Sequence, residues 1–217
     1  MNTQDQQSAD QRPDDQRLAV ERAHRILRSH TTGTLLIDAL PYDMTYIIDP
    51  HTGSLVLTLE EDMLEGDDIV LVVPEDRFDA PMRLSIDLST DINEEPCDRF
   101  IAYHLNQPSP IWARGQINFA KLECGAVVGN DELGVPNPLI QSLSSLCKKL
   151  NNDRKALHDV CLLLTKADIE DPIAVGVDPI GFDVRSRFGI VRVEFPGSVE
   201  NATQAEDVIA ALIGGVS

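Results

Sequence analysis

GTLLIDALPYDMTYIIDPHTGSLVLTL, residues 33–59, decides the fold class of this chain. Its link DPHTGS places Pro50 early and Gly53 late, as in a tight hairpin turn. On either side, apolar residues alternate or form short runs rich in β-branched and aromatic types, which is typical of strands. The stretch therefore predicts three strands: GTLLIDA (33–39), YDMTYII (42–48) and SLVLTL (54–59).

Three further apolar runs follow the same pattern: DIVLVV (68–73), MRLSIDL (82–88) and IWARGQINFAKL (111–122). Six short strands with few helices between them favour an antiparallel sheet or barrel. The segment RFIAYHL near residues 99–105 fits either a strand or a short helix. Before the strands, apolar residues at helical spacing predict a helix from Asp15 to about Ser29.

After residue 125 the pattern becomes helical. VPNPLIQSLSSLCKKL (135–150) predicts a helix with Asn137 as its cap, and a second helix follows NND (151–153). GFDVRSRFGIVRVEF (181–195) predicts a hairpin whose arginines, Arg185, Arg187 and Arg192, pair with Glu194 or face solvent. Thr203 and Glu206 predict a capping box for a last helix that stops at Gly214.

These elements predict an α+β protein with three parts. Residues 1–14 are rich in Gln and Asp and predict a mobile tail, because they lack the apolar side chains that would offset the entropy of ordering. Residues 15–130 form the β-rich domain, and residues 131–217 form a smaller helix-hairpin-helix α+β domain.

The chain is acidic, with a formal net charge of −18 and a pI near 4.5. Residues 60–99 hold fourteen Asp and Glu against three Arg. Because nucleic acids and anionic membranes bind through Lys and Arg, we expect neither as a partner. The N-terminus has no apolar leader and no later run reaches the ~18 apolar residues of a membrane span, so we expect a cytoplasmic protein.

Motifs for catalysis or metal binding are missing from the sequence. There is no phosphate-binding glycine loop, no G-x-S-x-G elbow and no C-x-x-C among the four cysteines. Cys147 and Cys161 lie at apolar positions of the predicted helices, which predicts buried, reduced thiols. The segment TLEEDMLEGDDIVLVV (58–73) carries six carboxylates but lacks the alternating ligands and central glycine of a calcium loop. It predicts a solvated turn, and we expect no metal site.

Two later segments resemble a known family. KLNNDRKAL (149–157) and GFDVRSRFGIVRVEFPGSVENATQAEDVIAAL (181–212) are similar to the C-terminal domain of haem-utilisation proteins, which follows a flavin-binding split barrel like that of pyridoxamine phosphate oxidase. Asn151 and Asp153 match the centre of a helix motif close to H-M-N-x-D-H, and Asp183 matches a G-F-D hairpin. Upstream, RILRSHTTGTLLI (25–37) resembles the opening of the split barrel. The resemblance implies an antiparallel split β-barrel and a homodimer.

The departures from this family concern its cofactors. Flavin-binding relatives follow the third strand with a Ser or Thr and then donors for the flavin phosphate, whereas here Thr58 is followed by LEEDMLEGDD. Each phosphate–carboxylate pair costs about 1 kcal/mol at ~4 Å even in water. Both motif histidines are replaced, by Lys149 and Arg154, and the chain has no C-terminal histidine for haem iron.

Three hypotheses follow, and they leave open whether the protein is an enzyme. The first, which we favour, is a diverged split-barrel homodimer without bound flavin that acts as a binding or regulatory protein, with its acidic surface at 60–99 facing solvent or a protein partner. The second is an FMN-dependent oxidoreductase whose phosphate is held by other cations. The third is a haem-binding or haem-degrading protein that uses a lone histidine. The candidate phosphate contacts are Thr58, Arg83, Arg114, Lys148, Lys149 and Arg154.

Overall fold

The computed structural model describes the backbone of residues 3–215 and the side chains of residues 14–215. The chain forms two compact units. The first ends at Cys97 and resumes over Pro108–Val135, and the second comprises Asp98–Gln107 and the chain from Pro136 onward. The mobile tail expected at residues 1–14 stays a prediction, because most of its side chains lie outside the described residues.

The first unit contains a closed antiparallel barrel of six strands. The strand order is β3-β2-β1-β4-β5-β6, and β3 also pairs with β6, which closes the barrel. All six strands expected from the sequence are present, and the prediction of an antiparallel barrel is confirmed. The strands are β1 Thr32–Ile37, β2 Leu40–Ile48, β3 Leu55–Leu59, β4 Ile69–Val73, β5 Met82–Ser89 and β6 Ile111–Leu122, with a short β7 at Val127–Gly129 beside β6.

Side chains alternate between the two faces of each strand, and this alternation explains which residues form the barrel core. Leu35 and Ile37 of β1 and Met44 and Tyr46 of β2 point inward and are buried, while Thr32 and Asp43 on the other face are exposed. A helix α1, Thr3–Ser29, packs Ala19, Ala23 and Leu27 against the same core. The helix starts before the predicted Asp15, since residues 4–12 contain no glycine or β-branched residue to end it.

Two shorter helices accompany the strands, one between β5 and β6 and one after β7. The ambiguous segment near residue 100 is the helix α2, Glu94–His104, and it buries Phe100. Its residues from Asp98 onward belong to the second unit. The other helix is α3, Asn130–Leu133, and a 3-10 turn covers Glu61–Glu65.

The second unit packs helices against a three-stranded sheet of order β10-β9-β8. The predicted hairpin is present as β9, Gly181–Ser186, and β10, Gly189–Glu194. The additional strand β8, Ile173–Asp178, was not predicted, because IAVGVD is short and contains Gly176. The helices are α4 Leu143–Asn151, α5 Arg154–Thr165 and α6 Ala202–Gly214.

Two predicted helix caps are wrong. The helix α4 begins at Leu143 rather than after Asn137, whose side chain instead bonds to Leu139 N at 2.9 Å and Val177 O at 2.8 Å. The helix α6 is capped by Asn201, which accepts from Gln204 N at 3.1 Å, rather than by Thr203. In both cases an asparagine amide reaches backbone groups that a sequence pattern does not locate.

Candidate functional site

Thr58, the residue expected at a flavin phosphate, is buried in the barrel. It lies on β3, is 2% exposed, and its hydroxyl accepts from Ser109 N at 3.3 Å. The 3-10 turn that follows anchors itself through the buried Met63. All six carboxylates of this stretch are exposed, as expected of a solvated turn: Glu60, Glu61, Asp62, Glu65, Asp67 and Asp68.

Arg83 lies far from Thr58. Both of their strands pair with β6, where Thr58 faces Trp112 and Arg83 faces Lys121. Trp112 and Lys121 are nine residues apart on β6, which corresponds to about 30 Å along the strand at 3.3 Å per residue. Arg83 also already donates to Asp76 Oδ1 at 3.0 Å. These two residues of one chain therefore do not lie at the same phosphate group.

Arg114 lies in the first unit, on β6 opposite Val56 of β3. The other predicted cations lie in the second unit. Lys149, in the last turn of α4, forms an ion pair with Glu206 at 3.3 Å, and Arg154 opens α5 as an exposed side chain. Lys148 is likewise in the last turn of α4, where a positive charge favourably meets the helix C-terminus. The positions of Lys148, Lys149 and Arg154 are therefore those of charged residues at helix ends.

Two motif residues also bond to backbone groups. The Asn151 side chain donates to Ala174 O at 2.9 Å and accepts from Ala174 N at 2.8 Å, which ties α4 to β8 beside a bulge in the β8–β9 register. Asp153 caps α5 by accepting from Ala156 N at 2.9 Å. Both contacts stabilise the second unit without any ligand.

The third motif residue, Asp183, belongs to a buried charge cluster. It lies on β9 directly opposite Arg192 on β10 and Gly176 on β8. Arg192 Nη1 donates to Asp183 Oδ1 at 3.1 Å, and Nη2 donates to Asp178 Oδ1 at 2.6 Å. From α2, the Tyr103 hydroxyl donates to Asp183 Oδ2 at 3.0 Å.

The expected environment of Arg192 was therefore wrong. The sequence predicts that Arg192 pairs with Glu194 or faces solvent, but its side chain is only 6% exposed. The reason is that the end of α2 covers this face of the sheet. The Tyr103 hydroxyl fills the space above Gly176, where any β carbon would collide with it. Glycine at this position is what lets α2 approach the strand.

Burial sets the electrostatics of the cluster. Desolvation raises the pKa of Asp183 despite the nearby Arg192 guanidinium, and it raises the pKa of Tyr103, with Asp183 adding to the effect. Burial acts to lower the pKa of Arg192, but Asp183 and Asp178 outweigh it and the net change is upward. Burial also raises the pKa of the neighbouring Cys147 to about 11, so its thiol is protonated at neutral pH.

The candidate binding site is a cleft of about 280 Å³ in the first unit. Thr32 pairs with Thr45 and Thr34 pairs with Asp43 across β1 and β2, so these four side chains share the outer face of the barrel. The segment Pro74–Glu75, which follows β4, forms another wall. Thr34 Oγ1 accepts from Asp76 N at 3.0 Å, which fixes that wall against β1.

Sequence reasoning missed this cleft. The signal was present as two alternating polar pairs, Thr32 with Thr34 and Asp43 with Thr45, on strands whose other residues are apolar. Recognising it requires the β1–β2 register, which places one pair beside the other.

No described side chains form a group of three or more His, Cys, Asp and Glu that would hold a metal ion. His158 bonds to Asp159 at 3.0 Å and to Asp168 at 2.9 Å. His24 bonds to Glu132 O at 2.8 Å, and His51 bonds to Glu95 at 3.0 Å. Within the described part of the chain, no helix has the length and apolar character of a membrane span.

The architecture is that of an α+β protein with a closed six-stranded antiparallel barrel, which fits a split-barrel fold. No protein-family model and no curated protein matches the sequence. Among solved structures, the protein Atu2129, of unknown function, from Agrobacterium tumefaciens str. C58 is similar at 22% identity, with a TM-score of 0.65 over 90% of this chain and 95% of that one. This likeness shows the fold.

A heme binding protein from Mycobacterium smegmatis is more distantly similar, with 17% identity and a TM-score of 0.41 over 91% of this chain and 97% of that one. A likeness this weak gives no information on the activity of the present chain. The assignment to the haem-utilisation family therefore stays a prediction from the motifs.

Proposed function

We propose that this chain is a binding protein built on a split barrel in which the usual flavin phosphate position is closed. The observation that carries the proposal is Thr58, whose hydroxyl is buried and hydrogen-bonded at 3.3 Å to Ser109 N while exposed carboxylates follow it. A dianionic phosphate placed there would not reach the buried Thr58 hydroxyl and would meet the like charge of the carboxylates that follow it. Binding instead takes place at the polar cleft between β1, β2 and Glu75.

The test is the absorbance spectrum of freshly purified protein, followed by titration with FMN. We expect a colourless protein whose thermal unfolding midpoint FMN leaves unchanged, since a ligand that binds the folded state raises that midpoint. Haem is added in a parallel titration, and no Soret shift is expected. Stoichiometric flavin in the purified protein would refute the proposal in favour of the oxidoreductase hypothesis.

We also propose that the protein acts as a homodimer, as the split-barrel resemblance implies, with its acidic segment 60–99 available to a protein partner. The support for a partner-facing surface is the exposure of its carboxylates. Light scattering in ~150 mM salt should give twice the chain mass, at an ionic strength that screens surface charges beyond ~8 Å. A particle of 23.9 kDa would show a monomer and remove the dimer from the proposal.

A further inference from the structure

The walls of the barrel cleft combine polar side chains with Gly33, Met44 and Pro74. Three threonine hydroxyls come from β1 and β2, and two carboxylates, Asp43 and Glu75, come from separate walls. No lysine or arginine lines the cleft. Every polar side chain there offers oxygen lone pairs, so the cleft presents hydrogen-bond acceptors and negative charge together.

The nearby cations do not neutralise these carboxylates. Arg83 pairs with Asp76 at 3.0 Å, and Arg77 lies 3.7 Å from Asp79. Among the described residues, neither Asp43 nor Glu75 forms an ion pair, although Glu75 adjoins both of those pairs in sequence. The Asp43 and Glu75 carboxylates therefore give the cleft lining a formal charge of −2.

We propose that this cleft binds a small organic cation through a primary ammonium group. An ammonium carries three N–H donors and one positive charge, which matches threonine hydroxyls grouped with carboxylates. The inference names the ligand class of the proposed binding function and rests on it.

The size of the cleft supports an organic ligand over a bare metal ion. Its volume of about 280 Å³ corresponds to roughly nine water molecules at ~30 Å³ each, which accommodates a short aliphatic amine. Calcium requires six to eight oxygen ligands at 2.3–2.6 Å, whereas the lining of the cleft contains two carboxylates and three threonine hydroxyls.

The backbone of β1 approaches β4 closely beside the cleft. Gly33 lies between Thr32 and Thr34, and a β carbon at Gly33 would meet Val72 O at 2.6 Å. The pairing of β1 with β4 begins only at Thr34, opposite Val72, so the first residues of β1 have no β4 partner. The β1–β4 ladder ends there, and Pro74 and Glu75 line the cleft together with Thr32.

The experiment is calorimetric titration of the full chain with 1,4-diaminobutane in ~150 mM salt, with 1,4-butanediol as the uncharged isostere. We expect saturable binding of the diamine and none of the diol. The variant Asp43→Asn/Glu75→Gln should weaken diamine binding at least tenfold. The matched control, Asp67→Asn/Asp68→Asn, removes the same charge from exposed positions outside the cleft and should leave the affinity unchanged.

A second variant separates hydrogen bonding from charge. Thr45→Val keeps a β-branched strand residue and removes one hydroxyl, so we expect a loss of two- to tenfold in affinity with an unchanged unfolding midpoint. Equal weakening by both charge pairs would show general attraction to an acidic surface and overturn the site. Binding of Ca²⁺ with no binding of the diamine would also overturn it. Either result leaves the flavin test of the proposed function unaffected.

Discussion

Replacing Arg192 with methionine tests the buried charge cluster of the second unit most directly. The guanidinium is 6% exposed and contacts two carboxylates, Asp178 at 2.6 Å and Asp183 at 3.1 Å. Methionine fills similar volume without charge or donors. The variant therefore leaves two carboxylates that are only 6% and 9% exposed without their cation, and Asp183 keeps only the Tyr103 hydroxyl.

The expected cost is about 3–5 kcal/mol of unfolding free energy at pH 7, the range found when one member of a buried ion pair is removed. This figure is mostly the penalty of the uncompensated carboxylates. Removing all three charges in Asp178→Asn/Asp183→Asn/Arg192→Met should therefore recover a large part of it, since no charge then remains buried in the cluster.

The pH dependence has a definite sign. Without the cation, burial raises the carboxylate pKa values in the folded state above those of the unfolded chain, so the folded state binds more protons. Its stability then increases as the pH falls from 7 towards 5. The deficit relative to the unmodified protein should therefore be smaller at pH 5 than at pH 7.

Urea unfolding followed by circular dichroism at both pH values measures these differences. Arg187→Met is the matched control, because Arg187 is exposed in the turn of the same hairpin and should change the stability by less than about 0.5 kcal/mol. A loss below about 1 kcal/mol for Arg192→Met, or one equal to that of the control, would refute the reasoning. So would a deficit that does not change with pH.

Three further predictions follow from single contacts. Tyr103→Phe removes the donor to Asp183 at 3.0 Å and should cost about 1.5–3 kcal/mol in the same urea assay, as for a hydrogen bond to a charged group; a neutral result would contradict the bond. Hydrogen bonds to Asp159 and Asp168 raise the pKa of His158, so an NMR titration should place this pKa above 6.5. The stability that His158 contributes should be present at pH 6 and lost as the pH rises through the folded-state pKa. A pKa at or below 6.5 would count against both hydrogen bonds. Ala39→Gly should stabilise the chain by about 0.5–1 kcal/mol, because Ala39 has a φ of 64°; destabilisation would show that this turn is unstrained.

The barrel strands were predictable because burial on one face leaves an alternating pattern in the chain. Met82, Leu84 and Ile86 of β5 are buried, and the residues between them are half-buried. The closure of the barrel was not predictable in the same way. It depends on the pairing of β3 with β6, whose residues Leu57 and Ala113 are far apart in sequence, and local periodicity does not encode such a partner.

The charge cluster was missed for a related reason. Alternation places Arg192 on the face of β10 opposite Val191 and Val193, and that face is normally solvated in a small antiparallel sheet. Here the end of α2, which follows β5 in the chain, covers it with Tyr103. A sequence pattern identifies which face a residue occupies, but it does not show whether a distant segment covers that face.

The candidate binding cleft depends on a turn whose sequence signal is unusual. Ile37 pairs with Leu40, so Asp38 and Ala39 form a two-residue hairpin loop with φ of 50° and 64°. Such loops usually carry Asn-Gly or Asp-Gly, since glycine adopts positive φ without strain. With alanine in the second position the register of β1 against β2 is not evident from the sequence. That register alone places the threonines and Asp43 side by side, so the site becomes recognisable only once the turn is known.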